Sequence, residues 1–368
     1  MDKIIIPAPL QIVMDDLGWF NGTDGRKNME PARTGVTRRH TVEDYEVVNE
    51  IGRQLGMRIN GAFVLGEWDC DRRSESIPHL SRYGRDRGIA SGFDEREAKS
   101  CADVINSSEF IDFALHGLYH SYYVEGGSYN NSDYYFSENG RLIPAPEDEI
   151  RMRLDCFYGL MEQHGLQKTV NSFVPPCFHY QADHIAKILK DYGIIYASTV
   201  FKDVFREDFS LGVALDNGIT VVDRSYNPLP WNAMECYLDG LPVARGVFGC
   251  HWANVCCADS RDNFKLVDSW VKYFRRCQRS FGVILSKDIG FCAAQSLYGK
   301  YSRVTFADGK YTVDISALPM VKGIGESFFI SSLRPLTHFS DCDAEIYEKF
   351  DGFINYKVTP KNKIFTLE

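Results

Sequence analysis

The sequence has no apolar run of the roughly 18 residues that a membrane-crossing helix needs. Its first stretch, MDKIIIPAPLQIVMDD, carries one Lys, is broken by two prolines and ends in acids. It therefore lacks the basic-then-apolar pattern of a secretory leader, and the expectation is a soluble cytoplasmic protein without a membrane partner. Basic clusters are missing too. Lys and Arg number 41 against 50 Asp and Glu, for a net charge of −9, which argues against nucleic acid as a partner. The 11 cysteines include no Cys-x-x-Cys spacing, only the adjacent Cys256 and Cys257. Such scatter fits reduced, mostly buried thiols rather than a disulfide framework or a thiolate zinc site. Neither a phosphate-binding G-x-x-x-x-G-K-[ST] loop, nor a dinucleotide glycine pattern, nor H-E-x-x-H is present.

What the sequence does have is an alternation of strand-like and helix-like segments. Its 368 residues suffice for one large α/β domain with a small companion. LQIVM, MRINGAFVLGEWD, FIDFALHG, TVNSFVPP, IIYAS, ITVVDRS, GVFGCHW and FGVILSKD read as strands. Between them, TVEDYEVVNEIGRQLG has Thr41 as N-cap with Asp44 three residues on, an apolar stripe through Val47, Val48, Ile51 and Leu55, and Gly56 as a stop. QADHIAKILKDYG and NFKLVDSWVKYFRR read as further helices. Strands separated by helices imply parallel pairing, in a barrel or a doubly wound sheet, with chemistry gathered where strands end. After about residue 297 the texture changes to short alternating runs, with a hairpin signal at Asp308-Gly309. Residues 297–368 are accordingly expected to form a small β-rich, sandwich-like appendage to a domain spanning 1–296.

The unusual residues fall at strand ends. Asp15 and Asp16 close the first strand, His116 and His120 follow FIDFAL, a Pro-Pro segment follows the fourth strand, and His251 follows GVFGC. His116-Gly-Leu-Tyr-His120 is an H-x3-H pair, and residues four apart on a helical turn share a face. Two neutral imidazoles and a carboxylate make a common ligand set for a catalytic metal. Either Asp15 or Asp16 could supply the carboxylate, leaving its neighbour to take a proton. A divalent ion would also offset the repulsion between the two acids. The competing roles are ordinary ones, an N-cap or solvated loop for the acids and hydrogen-bonded histidines for the pair.

The order VMDDLG, HGLYH, FVPPCFHYQADHIAKILKDYGIIYAST and GVFGCHWANV resembles the NodB-homology polysaccharide deacetylases, metal-dependent carbohydrate esterases, over about residues 8–290. The resemblance implies a distorted (β/α) barrel of about seven strands. It implies that Asp16, His116 and His120 hold a metal, usually zinc, that Asp15 is the general base, and that His251 is the general acid for the leaving amine. The substrate class it implies is an amino sugar, oligosaccharide or related small molecule bearing an N-acetyl group. Two positions depart from the family pattern. Leu17 intervenes before Gly18, and Phe173 or Val174 stands where the third motif carries an Arg that orients the catalytic Asp. A different cation would have to hold Asp15, or the base is tuned differently, or activity is weak.

Further cleft candidates are Glu67 and Trp68 at the end of the second strand, Pro176 and Cys177 in the Pro-Pro segment, Asp223 after ITVV, and Trp231 and Trp252 as surfaces for stacking on sugar. Two other functions stay open. One is glycoside hydrolysis, which needs two carboxyl groups about 5–9.5 Å apart, with Glu67 or Asp69 paired to Asp223. The other is a carbohydrate-binding protein that has kept the site without turnover.

Overall fold

A computed structural model of the chain describes residues 3–22, 34–80, 93–124, 132–201, 212–224, 226–240 and 246–368. In chain order the structure begins with β1 (Ile4–Ile5), β2 (Ala8–Leu17), α1 (Val42–Leu55), β3 (Ile59–Val64), α2 (Glu95–Ser107) and β4 (Ile111–Gly117). A hairpin of β5 (Tyr135–Glu138) and β6 (Arg141–Pro144) leads to α3 (Glu147–Gln163), β7 (Val170–Phe173), α4 (Ile185–Leu189) and β8 (Tyr196–Thr199). Then come β9 (Val213–Asp216), β10 (Ile219–Asp223), β11 (Val247–His251), α5 (Val267–Gln278), β12 (Val283–Leu285) and α6 (Ile289–Tyr301).

Eight of these strands lie in the order β11-β2-β3-β4-β7-β8-β10-β9, and β12 pairs with the first half of β2. Every pairing but β9–β10 is parallel. The strands are buried on both faces, as the apolar runs of β2 and β3 require. α1 runs as its sequence predicts and stops at Gly56, whose φ of 67° gives the left-handed turn of a helix end. Its start agrees as well: Thr41 is the N-cap, and the Asp44 carboxylate accepts the Thr41 N–H at 3.0 Å. The stretch QADHIAKILKDYG is only partly α-helical, since α4 gives way to a 3-10 turn over Lys190–Tyr192 before Gly193.

The expected barrel does not close. Among the described residues no strand pair joins the two ends of the sheet. β10 stops at Asp223, and Pro228 and Pro230, which have no N–H to give to a ladder, soon follow. The chain past β10 instead touches β11 as irregular backbone, with the Gly249 N–H donating to the Tyr226 carbonyl at 2.9 Å. Only glycine fits at that crossing, because a Cβ on Gly249 would lie 1.9 Å from Asn227 Oδ1.

Beyond α6, β13 (Arg303–Ala307) and β14 (Lys310–Asp314) form a hairpin through Asp308 and Gly309, both at positive φ. They are followed by β15 (Phe328–Ser332), β16 (Phe339–Ser340), β17 (Cys342–Phe350), β18 (Phe353–Pro360) and β19 (Ile364–Leu367). These make two four-stranded sheets, β1-β15-β18-β17 and β13-β14-β19-β16, over a core of Phe328, Ile330, Val358, Phe365 and Leu367. β1 thus pairs with late strands, and Tyr298 of α6 stacks on Phe328 at 4.2 Å. All 11 cysteines are free thiols. Among the described residues no helix is long and apolar enough to cross a membrane.

Candidate functional site

Neighbouring residues of a regular strand point to opposite faces, so Asp15 and Asp16 would ordinarily diverge. A bulge removes the difficulty. Met14 pairs with Gly61 and Leu17 with Phe63, so β2 takes three steps where β3 takes two, and Asp16 sits at φ 69°. Such bulges re-aim side chains beside functional sites. The other half of the site is set by register, for His251 of β11 pairs directly with Asp15 of β2.

His116 lies on the end of β4, and His120 lies in the bend that follows, not on a helical turn. Their rings nevertheless meet, with centroids 5.0 Å apart. His116 Nδ1–H donates to the Val174 carbonyl at 2.6 Å, which leaves Nε2 with its lone pair. That nitrogen is 3.7 Å from Asp16 Oδ1. One ligand atom each from Asp16, His116 and His120 lies within 4.8 Å of the others. His116 Nε2 and His120 Nδ1 are buried without a hydrogen-bond partner. Burial, helped by Asp15, pushes the Asp16 carboxyl up to about 8. Burial also lowers His116, and brings His120 down to about 3, so both imidazoles are neutral. Two orphaned neutral nitrogens beside an under-compensated carboxylate are what a divalent cation would satisfy. A second cluster of potential ligands, His40, Asp44 and Cys256, is different. There Asp44 already accepts from Arg38, His40 and Asn263, leaving no carboxylate for an ion.

Asp15 is held from two sides. Arg224 Nη1 donates to its Oδ1 at 2.5 Å, and His251 Nε2 stands 3.8 Å from its Oδ2. Burial alone would raise the Asp15 carboxyl, but Arg224, His116 and His251 outweigh it and hold the group below its ordinary value. Arg224 is itself fully buried and lies over the Phe178 ring, 5.1 Å from its centroid. The third motif therefore contributes a ring and the Val174 carbonyl, while the guanidinium comes from the end of β10. Sequence reasoning passed over Arg224, although the charge closing the apolar run ITVVDR was a usable signal.

The remaining candidates separate clearly. Glu67 is 2% exposed, and its carboxylate accepts the Phe20 and Asn21 N–H groups and the Asn21 amide. Trp68 is buried and donates to the Gly18 carbonyl, while Trp252 is buried against His40 and donates to the Asp44 carbonyl. These three serve the core rather than a cleft, because each fixes backbone beneath the strand ends. Asp69 is likewise buried, accepting from the Arg73 and Ser74 N–H groups. Pro176 is buried, and Asp223 accepts the Phe201 N–H at 3.0 Å. Cys177 has a left-handed backbone at φ 53° and is exposed. Trp231 remains open, 38% exposed. Its loop is fastened to the His251 turn: Asn254 donates to the Pro230 and Ala233 carbonyls and accepts the His251 N–H.

No family model and no curated protein matches the chain. Solved structures do. A candidate polysaccharide deacetylase from Mycobacterium smegmatis matches at 12% identity and TM-score 0.38, over 75% of this chain and 86% of that one. A mutant of a carbohydrate esterase family 4 pseudoenzyme, with restored enzymatic activity, matches at 12% identity and TM-score 0.39, over 78% of this chain and 68% of the other. A candidate glycoside hydrolase/deacetylase from Parabacteroides distasonis matches at 10% identity and TM-score 0.40, over 89% and 80%. Overlap this loose leaves the functional case to the residues themselves.

Proposed function

We propose that the chain is a metal-dependent hydrolase that removes an acyl group, N-acetyl in the first instance, from an amino sugar or an oligosaccharide of amino sugars. The observation that carries this reading is the arrangement of Asp16, His116 and His120, with orphaned nitrogens, beside an Asp15 clamped between Arg224 and His251. The sugar substrate is what the resemblance to the NodB-homology deacetylases over residues 8–290 implies. Zn2+, or another divalent cation held by Asp16, His116 and His120, would polarise both the attacking water and the acyl oxygen.

The protein's own groups account for the protons. Arg224 keeps Asp15 ionised, so Asp15 can accept the proton that water loses on attacking the acyl carbon. His251 is the group that gives a proton to the departing nitrogen as the C–N bond breaks. Burial holds His251 down at about 4, so it starts neutral. Its proton must come from within the site, and Asp15 Oδ2, 3.8 Å from His251 Nε2, is the donor at hand. Asp15 and His251 thus work as one relay. Trp231, on the loop tied to the His251 turn, offers a face for a sugar ring.

The glycoside hydrolase alternative lacks support from its own candidates, since Glu67 and Asp69 are buried and engaged with backbone N–H groups. The test is to load the protein with Zn2+ and supply N-acetylated chito-oligosaccharides, measuring free acetate against new reducing ends. Acetate release that is lost on chelation and in His116→Ala supports the proposal. New reducing ends without acetate, or no Zn2+ bound by either protein, would overturn it.

A further inference from the structure

The bend that carries His120 is shaped from outside its own sequence. Three successive backbone N–H groups converge on a single carboxylate: Leu118 and Tyr119 donate to Asp133 Oδ1 at 3.2 and 3.1 Å, and His120 donates to Oδ2 at 2.8 Å. Asp133 is fully buried. Consecutive N–H groups that point inward form a concave anion site, and here the protein fills that site with its own side chain. Gly117 is what lets the carboxylate in, since a Cβ at that position would lie 2.2 Å from Asp133 Oδ2. The opposite edge of the bend is pinned as well. The Leu65 and Gly66 N–H groups donate to the Gly117 and Leu118 carbonyls at 3.2 and 2.6 Å, and Tyr119 donates its hydroxyl to the Gly66 carbonyl at 2.7 Å. Held this way, His120 keeps a left-handed backbone at φ 53°, a conformation a histidine seldom holds unaided.

We infer that Asp133 is a positioning residue for the paired histidines: by gathering the N–H groups of residues 118–120 it sets where the His120 imidazole stands relative to His116 and Asp16, and so sets the affinity and geometry of the ion they hold. The inference rests on the metal-site reading above. It assigns to Asp133 a role that neither the H-x3-H spacing nor the fold supplies. A strand end fixes His116, but four residues later the chain has left the sheet, and the carboxylate replaces the ladder as the source of order.

Asp133→Asn is the discriminating change. Its carbonyl oxygen can keep the bonds from Leu118 and Tyr119, while its amide nitrogen would face the His120 N–H donor to donor. Zn2+ affinity by chelator competition and the visible spectrum of the Co2+-loaded protein are compared for the full chain, Asp133→Asn, Gly117→Ala and His116→Ala, with circular dichroism as the check on folding. Both Asp133→Asn and Gly117→Ala are expected to stay folded, to bind Zn2+ about 10–100-fold more weakly and to shift the Co2+ bands. Asp133→Asn that matches the unaltered protein in affinity and spectrum overturns the positioning role. Should Asp133→Asn not fold, Gly117→Ala decides by the same two readouts. If the unaltered protein binds no better than His116→Ala, the metal reading itself has failed, which is a separate outcome.

Discussion

Replacing Arg224 by Met would take away the guanidinium that faces Asp15 and leave a carboxylate whose side chain is 5% exposed. Its other neighbours cannot stand in: burial keeps His116 and His251 toward their neutral forms, and Asp16 is an acid. Breaking a buried pair from one side destabilises by about 3–5 kcal/mol, whereas removing both charges together is often close to neutral. Arg224→Met is therefore expected to lower unfolding stability by about 3–5 kcal/mol at pH 7, and Asp15→Asn/Arg224→Met to recover at least half of that. The loss should also depend on pH. In the unaltered protein Asp15 has a depressed carboxyl, so its contribution is present above the unfolded value and disappears as pH falls through the folded one. Without Arg224, burial loses its largest counterweight, and acid relieves the variant by protonating Asp15. Urea unfolding of the three proteins at pH 7 and pH 5, with metals chelated, measures both effects. A loss below about 1 kcal/mol, the scale of an exposed pair, would refute this account. So would a double variant no more stable than Arg224→Met.

The ion-free protein should also have a stability maximum near neutrality. As pH rises toward about 6.5, the lowered imidazoles favour the folded state, because the unfolded chain binds the extra protons. From there to pH 8 the sign reverses, since folded Asp16, raised to about 8, still holds a proton that the unfolded chain has released. The expected fall is below about 1 kcal/mol, because Asp16 is only half ionised by pH 8 while the unfolded imidazoles shed their last protons over the same range, and saturating Zn2+ should abolish it; stability of the ion-free protein in urea that keeps rising to pH 8 argues against it. Trp231→Ala should raise KM for an N-acetylated oligosaccharide about 2–12-fold with kcat nearly unchanged, and an unaltered KM would remove Trp231 from the substrate site. Glu67→Gln should cost about 2 kcal/mol of stability, from its bonds to Phe20 and Asn21, while leaving KM alone; a raised KM would return Glu67 to the cleft.

Features carried by local patterning were legible in the sequence. The apolar stripe and terminal glycine of α1, the Asp308-Gly309 hairpin and the strand ends bearing Asp15, Asp16, His116 and His251 could all be read from spacing. Features created by long-range approach could not. The bulge that turns both acids the same way appears only when β2 is laid against β3. Arg224 reaches Asp15 across 209 positions of sequence, from the opposite end of the sheet. Asp133 works through backbone atoms of the histidine bend, and backbone partners leave no side-chain pattern to find. Glu67, Trp68 and Trp252 misled for the converse reason. A polar or aromatic residue at a strand end can face the cleft or brace the turn beneath it, and burial rather than spacing decides.

β2 leaves the ribosome before all three of its parallel partners, and those partners arrive far apart in time. β3 comes early, but the second half of β2 waits for residues 247–251 and its first half for residues 283–285. β1 waits longer still, for β15 at residues 328–332. Contacts so distant in sequence are slow to form and leave sheet edges uncovered meanwhile. Asp15 and Asp16 would thus spend most of synthesis on an unfinished edge, without the histidine and arginine that later flank them. A chain released before residue 251 would carry two acids without His251 beside them, and one released before residue 328 would have no partner for β1. The strand that carries both acids is made early in this sheet and completed late.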